Sequence, residues 1–145
     1  MENENTTPCS FCDAEVRSIQ EITRNDLALA IYPHRPIIDN HVMIMPLRHV
    51  EKVEELSKEE IIAIFDMIKT ISGHFKGITG FNLFTNNGKS AGQNVPHIHF
   101  HIFGRSESEE ISPYTILNNL KAYNLPKLEQ EEIKKRIQNL LSTNF

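Results

Sequence analysis

The sequence predicts an α+β fold: an antiparallel sheet of about five strands with one long helix packed on it and further helices at the C-terminus. Three observations predict it. Apolar runs at 27–32, 41–45, 81–85 and 95–103 have strand length, and they are not each followed by a helix as a parallel sheet would require. One stretch, 58–74, changes to helical period behind a capping signal. The last strand segment alternates histidine with large apolar residues. A chain of 145 residues has room for one core of ordinary size, so residues 9–145 are expected to form a single domain behind a flexible tail, residues 1–8.

Taken in order, Met1 to Pro8 is rich in Glu, Asn and Thr and offers nothing to bury. Next stands Cys9-Ser10-Phe11-Cys12, a spacing that closes too short a loop to staple a fold. It points to half of a zinc site or to a redox pair. A thioredoxin-type pair belongs between a strand and a helix of a parallel α/β unit, so the polar N-terminal setting favours zinc. Leu27 to Tyr32 is a strand that stops at Pro33, and Pro33-His34-Arg35-Pro36 lacks two backbone donors and makes a loop. His34 there is read as a surface residue, with a pocket-lining position as the alternative. A second strand, His41 to Met45, ends at Pro46.

Ser57 with Glu60 three residues on is a capping box, and Ile61, Ile64, Phe65, Ile68 and Ile71 recur at helical spacing behind it. The helix is expected over about Lys58 to His74, broken by Gly73 and Gly77, with its Ile/Phe stripe in the core. His74 at its end suits the helix dipole and is assigned no chemistry. Phe81 to Thr85 is the next strand, Asn86 to Gly92 a turn-rich loop, and Val95 to Phe103 the following strand. Ser106 to Ser112 is a polar, acidic loop. A weaker helical segment near Pro113 to Tyr123 precedes a helix from about Leu128 to Leu141.

Composition excludes several classes. Fifteen Lys and Arg stand against nineteen Asp and Glu, a formal charge of −4, so the chain lacks the broad basic field of a nucleic-acid binder. No apolar run approaches the roughly 18–20 residues of a membrane span. The N-terminus is acidic and polar where a signal peptide is basic and then apolar, so a cytoplasmic protein is expected.

Three of the seven histidines lie within five residues, in Val95-Pro96-His97-Ile98-His99-Phe100-His101-Ile102-Phe103. On a strand His97, His99 and His101 share one face, roughly 7 Å apart from a rise of about 3.3 Å per residue, while Ile98, Phe100 and Ile102 anchor the other. Two chemistries suit such a face. One is metal catalysis with histidine ligands and an open water site. The other is nucleophilic catalysis at phosphorus by a neutral imidazole whose neighbours supply protons near pH 7. The preceding loop favours the second. Asn86, Asn87, Gly88, Gly92, Gln93 and Asn94 supply amides and permissive backbone for phosphate oxygens. No Asp or Glu lies between Thr79 and Phe103, where a magnesium or calcium site would want one.

His97-Ile-His-Phe-His-Ile-Phe103 resembles the signature of the histidine-triad family, His-x-His-x-His followed by two apolar residues. The likeness extends to Asn40-His41-Val-Met-Ile-Met-Pro-Leu-Arg-His49 and to Gly92-Gln93-Asn94-Val95, and covers about Cys9 to Arg105. It implies hydrolysis or transfer at the α-phosphorus of an adenosine-type nucleotide, such as a nucleoside phosphoramidate or a dinucleoside polyphosphate. The step would pass through a nucleotidyl-histidine on His99, with no metal required. His101 would help position or protonate the phosphate, and Asn86 would contact the atom that links phosphorus to the leaving group. Gly92, Gln93 and Asn94 would face the phosphate, and His41 would order the triad.

The resemblance also implies a homodimer and a structural zinc on Cys9, Cys12, His49 and His97. His97 is thereby claimed both as a ligand and as a member of the catalytic set. Asn94 stands where the phosphoramidase branch usually carries Ser. Pro33, with Tyr32, His34 and Arg35 beside it, stands where many members hold the ribose with an Asp. Arg35-Pro36 and Gly104-Arg105 look closer to the dinucleoside-polyphosphate-hydrolase branch. The alternatives are a metal-dependent hydrolase that uses all three strand histidines and a nucleotide-binding regulator without turnover.

Overall fold

A computed structural model describes residues 9–108, 111–118 and 127–142. The expected tail, residues 1–8, lies outside them, as do 119–123 of the weaker helical segment and 109–110 of the acidic loop. After a 3-10 turn at Ser10–Cys12 come α1 (Ala14–Gln20), β1 (Glu21–Arg24), β2 (Ala28–Ile31) and β3 (His41–Pro46). They are followed by α2 (Lys58–His74), β4 (Gly80–Phe84), β5 (Phe100–Arg105), α3 (Pro113–Asn118) and α4 (Lys127–Ser142). The five strands pair antiparallel throughout, in the order β1-β2-β3-β5-β4. Among the described residues no helix is long and apolar enough to cross a membrane.

The α+β fold with its long helix is the one the sequence predicts, but α1 and β1 have no counterpart in that reading. The reason is local. Helix α1 is held by the Asp13 carboxylate, which accepts from the backbone amides of Glu15 and Val16, and none of its seven residues is buried, so it shows no apolar stripe. Strand β1 is four residues long and buries only Ile22.

Helix α2 begins at the capping box read from sequence: Ser57 Oγ accepts from the Glu60 amide, and the Glu60 carboxylate accepts from the Ser57 amide. The same carboxylate, almost fully buried, takes two bonds from the Arg48 guanidinium at 2.7 and 3.1 Å, which hold its pKa below the usual range. The helix runs through Gly73 and ends at His74, so Gly73 does not break it. Its buried stripe is Ile64, Met67, Ile68 and Ile71, whereas Ile61 and Phe65 are 42% and 48% exposed. The helical period admits two adjacent apolar stripes here, and the sheet covers one of them.

The main core lies between one sheet face and helices α2 and α4: Ala28, Ala30, Val42, Ile44, Phe100 and Ile102 meet Ile64, Ile68, Ile71, Ile133 and Ile137. On the opposite face Leu29, Ile31, Met43 and Met45 pack beneath Phe11. That second face carries the histidines.

Strand β5 begins at Phe100, five residues later than the sequence predicts. Pro96 has no amide to give, the His97 amide turns back to the Val95 carbonyl at 2.8 Å, and the Ile98 amide goes to the Val50 carbonyl at 2.7 Å. These bonds take 95–98 out of the ladder, which with β3 runs only from Ile44↔Phe100 to His41↔Phe103. The alternation nonetheless survives: Ile98, Phe100 and Ile102 all enter the main core.

Candidate functional site

A cleft of about 860 Å³ opens on the second face, lined by His41, His99, His101, Asn86, Gly92 and Asn94 on its polar side. Phe11, Val16, Ile37 and Met43 are among its apolar lining. The β3/β5 register sets the histidines. His41 stands opposite Phe103, so its ring reaches diagonally to His101, two residues back on β5. The ring centroids of His99 and His101 are 5.0 Å apart, edge to face.

A chain of hydrogen bonds decides which nitrogens carry protons. The Ile37 amide donates to His41 Nδ1 at 3.1 Å, so the His41 proton is on Nε2, which lies 2.8 Å from His101 Nδ1 and donates to it. His101 therefore keeps its own proton on Nε2. His99 Nδ1 lies 2.8 Å from the His97 carbonyl and donates to it, which leaves Nε2 of His99 with a lone pair. The Thr85 hydroxyl holds the His99 carbonyl at 2.6 Å. Burial lowers the pKa of all four rings. That of His41 goes well below 6.5, those of His97 and His101 fall to about 4 and about 3, and His99 is lowered too. At neutral pH the face is a set of uncharged imidazoles with a proton donor beside a lone pair.

The loop before β5 supplies the opposite wall. Gly92 has φ +97°, a conformation that penalises any Cβ, and a Cβ there would lie 3.8 Å from the Asn86 amide. The Gln93 side chain faces away from the cleft: it accepts from the Gly88 amide at 2.8 Å and donates to the carbonyls of Glu51 and Val95. Asn87 likewise binds the Val53 amide and Glu54. These two side chains shape the loop, and Asn86 and Asn94 face the cleft.

Behind the triad, Cys9, Cys12, His49 and His97 bring their ligand atoms within 4.8 Å of one another. Cys12 Sγ is 3.3 Å from His49 Nδ1 and 3.4 Å from His97 Nδ1, and Cys9 Sγ is 3.5 Å from His97 Nδ1. A sulfur and a nitrogen on one tetrahedral zinc ion stand about 3.5 Å apart, given bonds of about 2.3 and 2.0 Å. The tautomer fits as well. His97 Nε2 donates to the Pro46 carbonyl at 2.8 Å, which leaves Nδ1 unprotonated and turned to the cysteines. The four residues can therefore hold a metal ion, and they are the one such group among the described residues. The three triad rings do not converge on a common point, since the Nδ1 atoms of His99 and His101 and both nitrogens of His97 are committed elsewhere.

The HIT domain model matches residues 16–108, more than half of the chain. The chain belongs to the HIT family. A bis(5′-adenosyl)-triphosphatase from Dictyostelium discoideum is 30% identical over 129 residues, 86% of this chain and 85% of that protein. An adenosine 5′-monophosphoramidase from Schizosaccharomyces pombe is 31% identical over 70% of this chain and 77% of its own length. Among solved structures, a zinc-bound histidine-triad protein from Mycobacterium smegmatis superposes with a TM-score of 0.75 at 22% identity, covering 93% of this chain and 94% of that one.

In this HIT domain the cleft also uses residues that sequence reasoning does not single out. Phe11 lies edge-on to His99 with centroids 5.0 Å apart, and Val16 and Gln20 come from the unpredicted α1. The Asp13 cap was the available signal for α1. Arg17 ties this region down by donating to the carbonyls of Phe11 and Leu47, both at 2.7 Å. His34 and Arg35 line the cleft, whereas Tyr32 is buried in the main core and donates to the Asp39 carbonyl at 3.0 Å.

The buried neutral rings make stability depend on pH. His41 and His101 are lowered in the folded chain, so below about pH 6.5 the unfolded chain binds more protons. Their contribution is complete above that pH and is lost as the pH falls, by about 1.4 kcal/mol per pH unit for each group. The urea midpoint should therefore drop between pH 7.5 and 5.5, and His101→Gln should flatten the slope; equal slopes would contradict the neutral pair.

Proposed function

We propose that this HIT protein hydrolyses or transfers adenosine-type nucleotides at the α-phosphorus through a nucleotidyl-His99 intermediate. The observation that carries the reading is the proton arrangement: an unprotonated Nε2 on His99 beside a protonated Nε2 on His101, both on the cleft. His99 Nε2 attacks phosphorus and the bond to the leaving group breaks, while His101, a neutral imidazole, donates an Nε2–H hydrogen bond to the departing oxygen or nitrogen, which takes its proton from solvent. The new N–P bond is then cleaved by water, whose oxygen stays on phosphorus and whose surplus proton goes to solvent, so His99 is regenerated. Asn94 and the Gly92 backbone hold the phosphate oxygens as charge builds, and Asn86 contacts the atom that links phosphorus to the leaving group. Gln93 keeps their loop in shape. His41 fixes the His101 tautomer.

Relatives named as a triphosphatase of bis(5′-adenosyl) compounds and as an adenosine 5′-monophosphoramidase support an adenosine 5′-phosphate bound on the non-leaving side. The proposed substrates are dinucleoside polyphosphates and phosphoramidates. A mass-spectrometric turnover screen of both classes, with the His99→Ala variant as blank, tests the assignment. AMP binding without turnover of any member would instead indicate a nucleotide-binding regulator.

Zinc is the proposed occupant of the Cys9, Cys12, His49 and His97 cluster, as a closed structural site that takes no part in the displacement. His97 belongs to that site, and through its carbonyl it also orients His99. The zinc-bound M. smegmatis relative supports this reading.

A homodimer completes the proposal. Among the described residues the outer edge of β4 is unpaired, its Phe81 and Leu83 are exposed, and so are Ile61, Ile62 and Phe65 of α2. An edge strand with exposed apolar neighbours is a site for pairing with a second copy. Light scattering should give twice the 16.7 kDa chain mass, and Phe65→Glu should shift it toward one chain. A cytoplasmic location is part of the same reading.

A further inference from the structure

A second hollow of about 440 Å³ adjoins the catalytic cleft. The two share Val16, Gln20, Pro33 and His34, which form the sill between them. Its far wall is Gln130, Glu131 and Lys134 of α4, a helix beyond the 16–108 stretch that the HIT model matches. The volume is within the range of about 300–1,000 Å³ typical of small-molecule sites.

Orientation follows from the catalytic cleft. Phosphorus belongs at His99 and His101, and the apolar lining of Phe11, Ile37 and Met43 suits a nucleoside. The sill residue Val16 continues that apolar lining, and the sill has no member of the phosphate loop. A group that crosses it is therefore attached to the nucleoside and not to the leaving group.

Charge narrows the chemistry. Lys134 donates to the Ile19 carbonyl and pairs with Glu131 at 3.2 Å, and the Asp13 carboxylate is occupied in capping α1. That leaves Glu15 and Lys127, one charge of each sign, so the hollow has no excess of positive charge to attract a phosphate. Gln20 and His34 offer hydrogen bonds beside the apolar Ile19 and Pro33.

We propose that this hollow is a subsite for an uncharged substituent, polar or aromatic, on the nucleoside of the substrate, with α4 as its outer wall. The assignment rests on the nucleotide reading of the main cleft. It makes the C-terminal helix a specificity element that admits base- or ribose-modified nucleotides.

The test is calorimetric binding of AMP, N6-benzyl-AMP, 2′(3′)-O-methylanthraniloyl-AMP and adenosine 3′,5′-bisphosphate to the full chain and to Ile19→Trp and Gln130→Trp, each of which fills the hollow without touching the catalytic cleft. At least one uncharged derivative should bind the unmodified protein as tightly as AMP and lose about tenfold or more in both variants, while AMP is unchanged. Which derivative responds identifies whether base or ribose faces the sill. The subsite is overturned if both derivatives are excluded from the unmodified protein, or if neither variant selectively weakens them. A bisphosphate that binds more tightly than AMP overturns the chemical class. Failure of AMP itself to bind refutes the nucleotide reading, a separate outcome.

Discussion

Replacing His99 with alanine abolishes turnover of phosphoramidate and dinucleoside polyphosphate substrates, with kcat reduced by about 10³-fold or more. The size follows from the kind of step removed. Without Nε2 no N–P bond forms, and water would have to displace the leaving group directly, in one harder step. His101→Gln should behave differently. It removes a hydrogen-bond donor to the leaving group, so the loss is about 10² to 10³-fold and is greatest for leaving groups that carry the most developing charge. Circular dichroism and the melting midpoint separate chemistry from folding, because His99 is 8% exposed and its removal leaves a small void at the cleft. A folded His99→Ala protein that still turns over substrate would remove His99 from the nucleophile's place.

Removing the zinc proposed for the Cys9, Cys12, His49 and His97 cluster is expected to lower the melting midpoint strongly. The cluster joins three distant parts of the chain, the N-terminal turn, the segment after β3 and the segment before β5. Zinc binding to closed Cys/His sites amounts to about 10 kcal/mol or more. If a third of that reaches the folding equilibrium, its loss costs about 3 kcal/mol, or a fall of roughly 10 °C. Cys12→Ser should reproduce the fall and should make the midpoint insensitive to chelator. Activity should follow less steeply and mainly through KM. Phe11, held between the two cysteines, lines the cleft, whereas the His41–His101 pair lies apart from the cluster. A catalytic ion would show the reverse order, with activity lost before stability. An unchanged midpoint after exhaustive chelation would remove the structural role.

The triad was legible because two signals coincide in one nonapeptide: imidazoles at period two, and large apolar residues in the gaps that must enter a core. Half of the metal cluster was legible in the Cys9/Cys12 spacing, but His49 and His97 came only through the resemblance, since Cys12 and His49 are 37 residues apart and His97 is 48 further on. Helix α1 was not legible. A seven-residue helix with no buried side chain has no apolar period, and only the Asp13 cap marks it. Its contribution to the cleft, Val16 and Gln20, was hidden with it. Ile61 and Phe65 show the opposite failure, a genuine helical period whose exposed half sequence cannot tell from the buried half.

By itself, the sequence determined the fold class, the family and the residue types at the site, because periodicity, capping and motif spacing are properties of neighbours along the chain. Only the tertiary structure decided what each histidine nitrogen can do. The Ile37 amide, the Pro46 carbonyl and the His97 carbonyl select the tautomers of His41, His97 and His99. Of these, Pro46 comes from a segment 51 residues away, and Ile37 and His97, four and two residues from the rings they meet, are turned toward them by the local chain path. A tautomer is set by the partner across a few ångströms, and such a partner has no signature in the spacing of His97, His99 and His101.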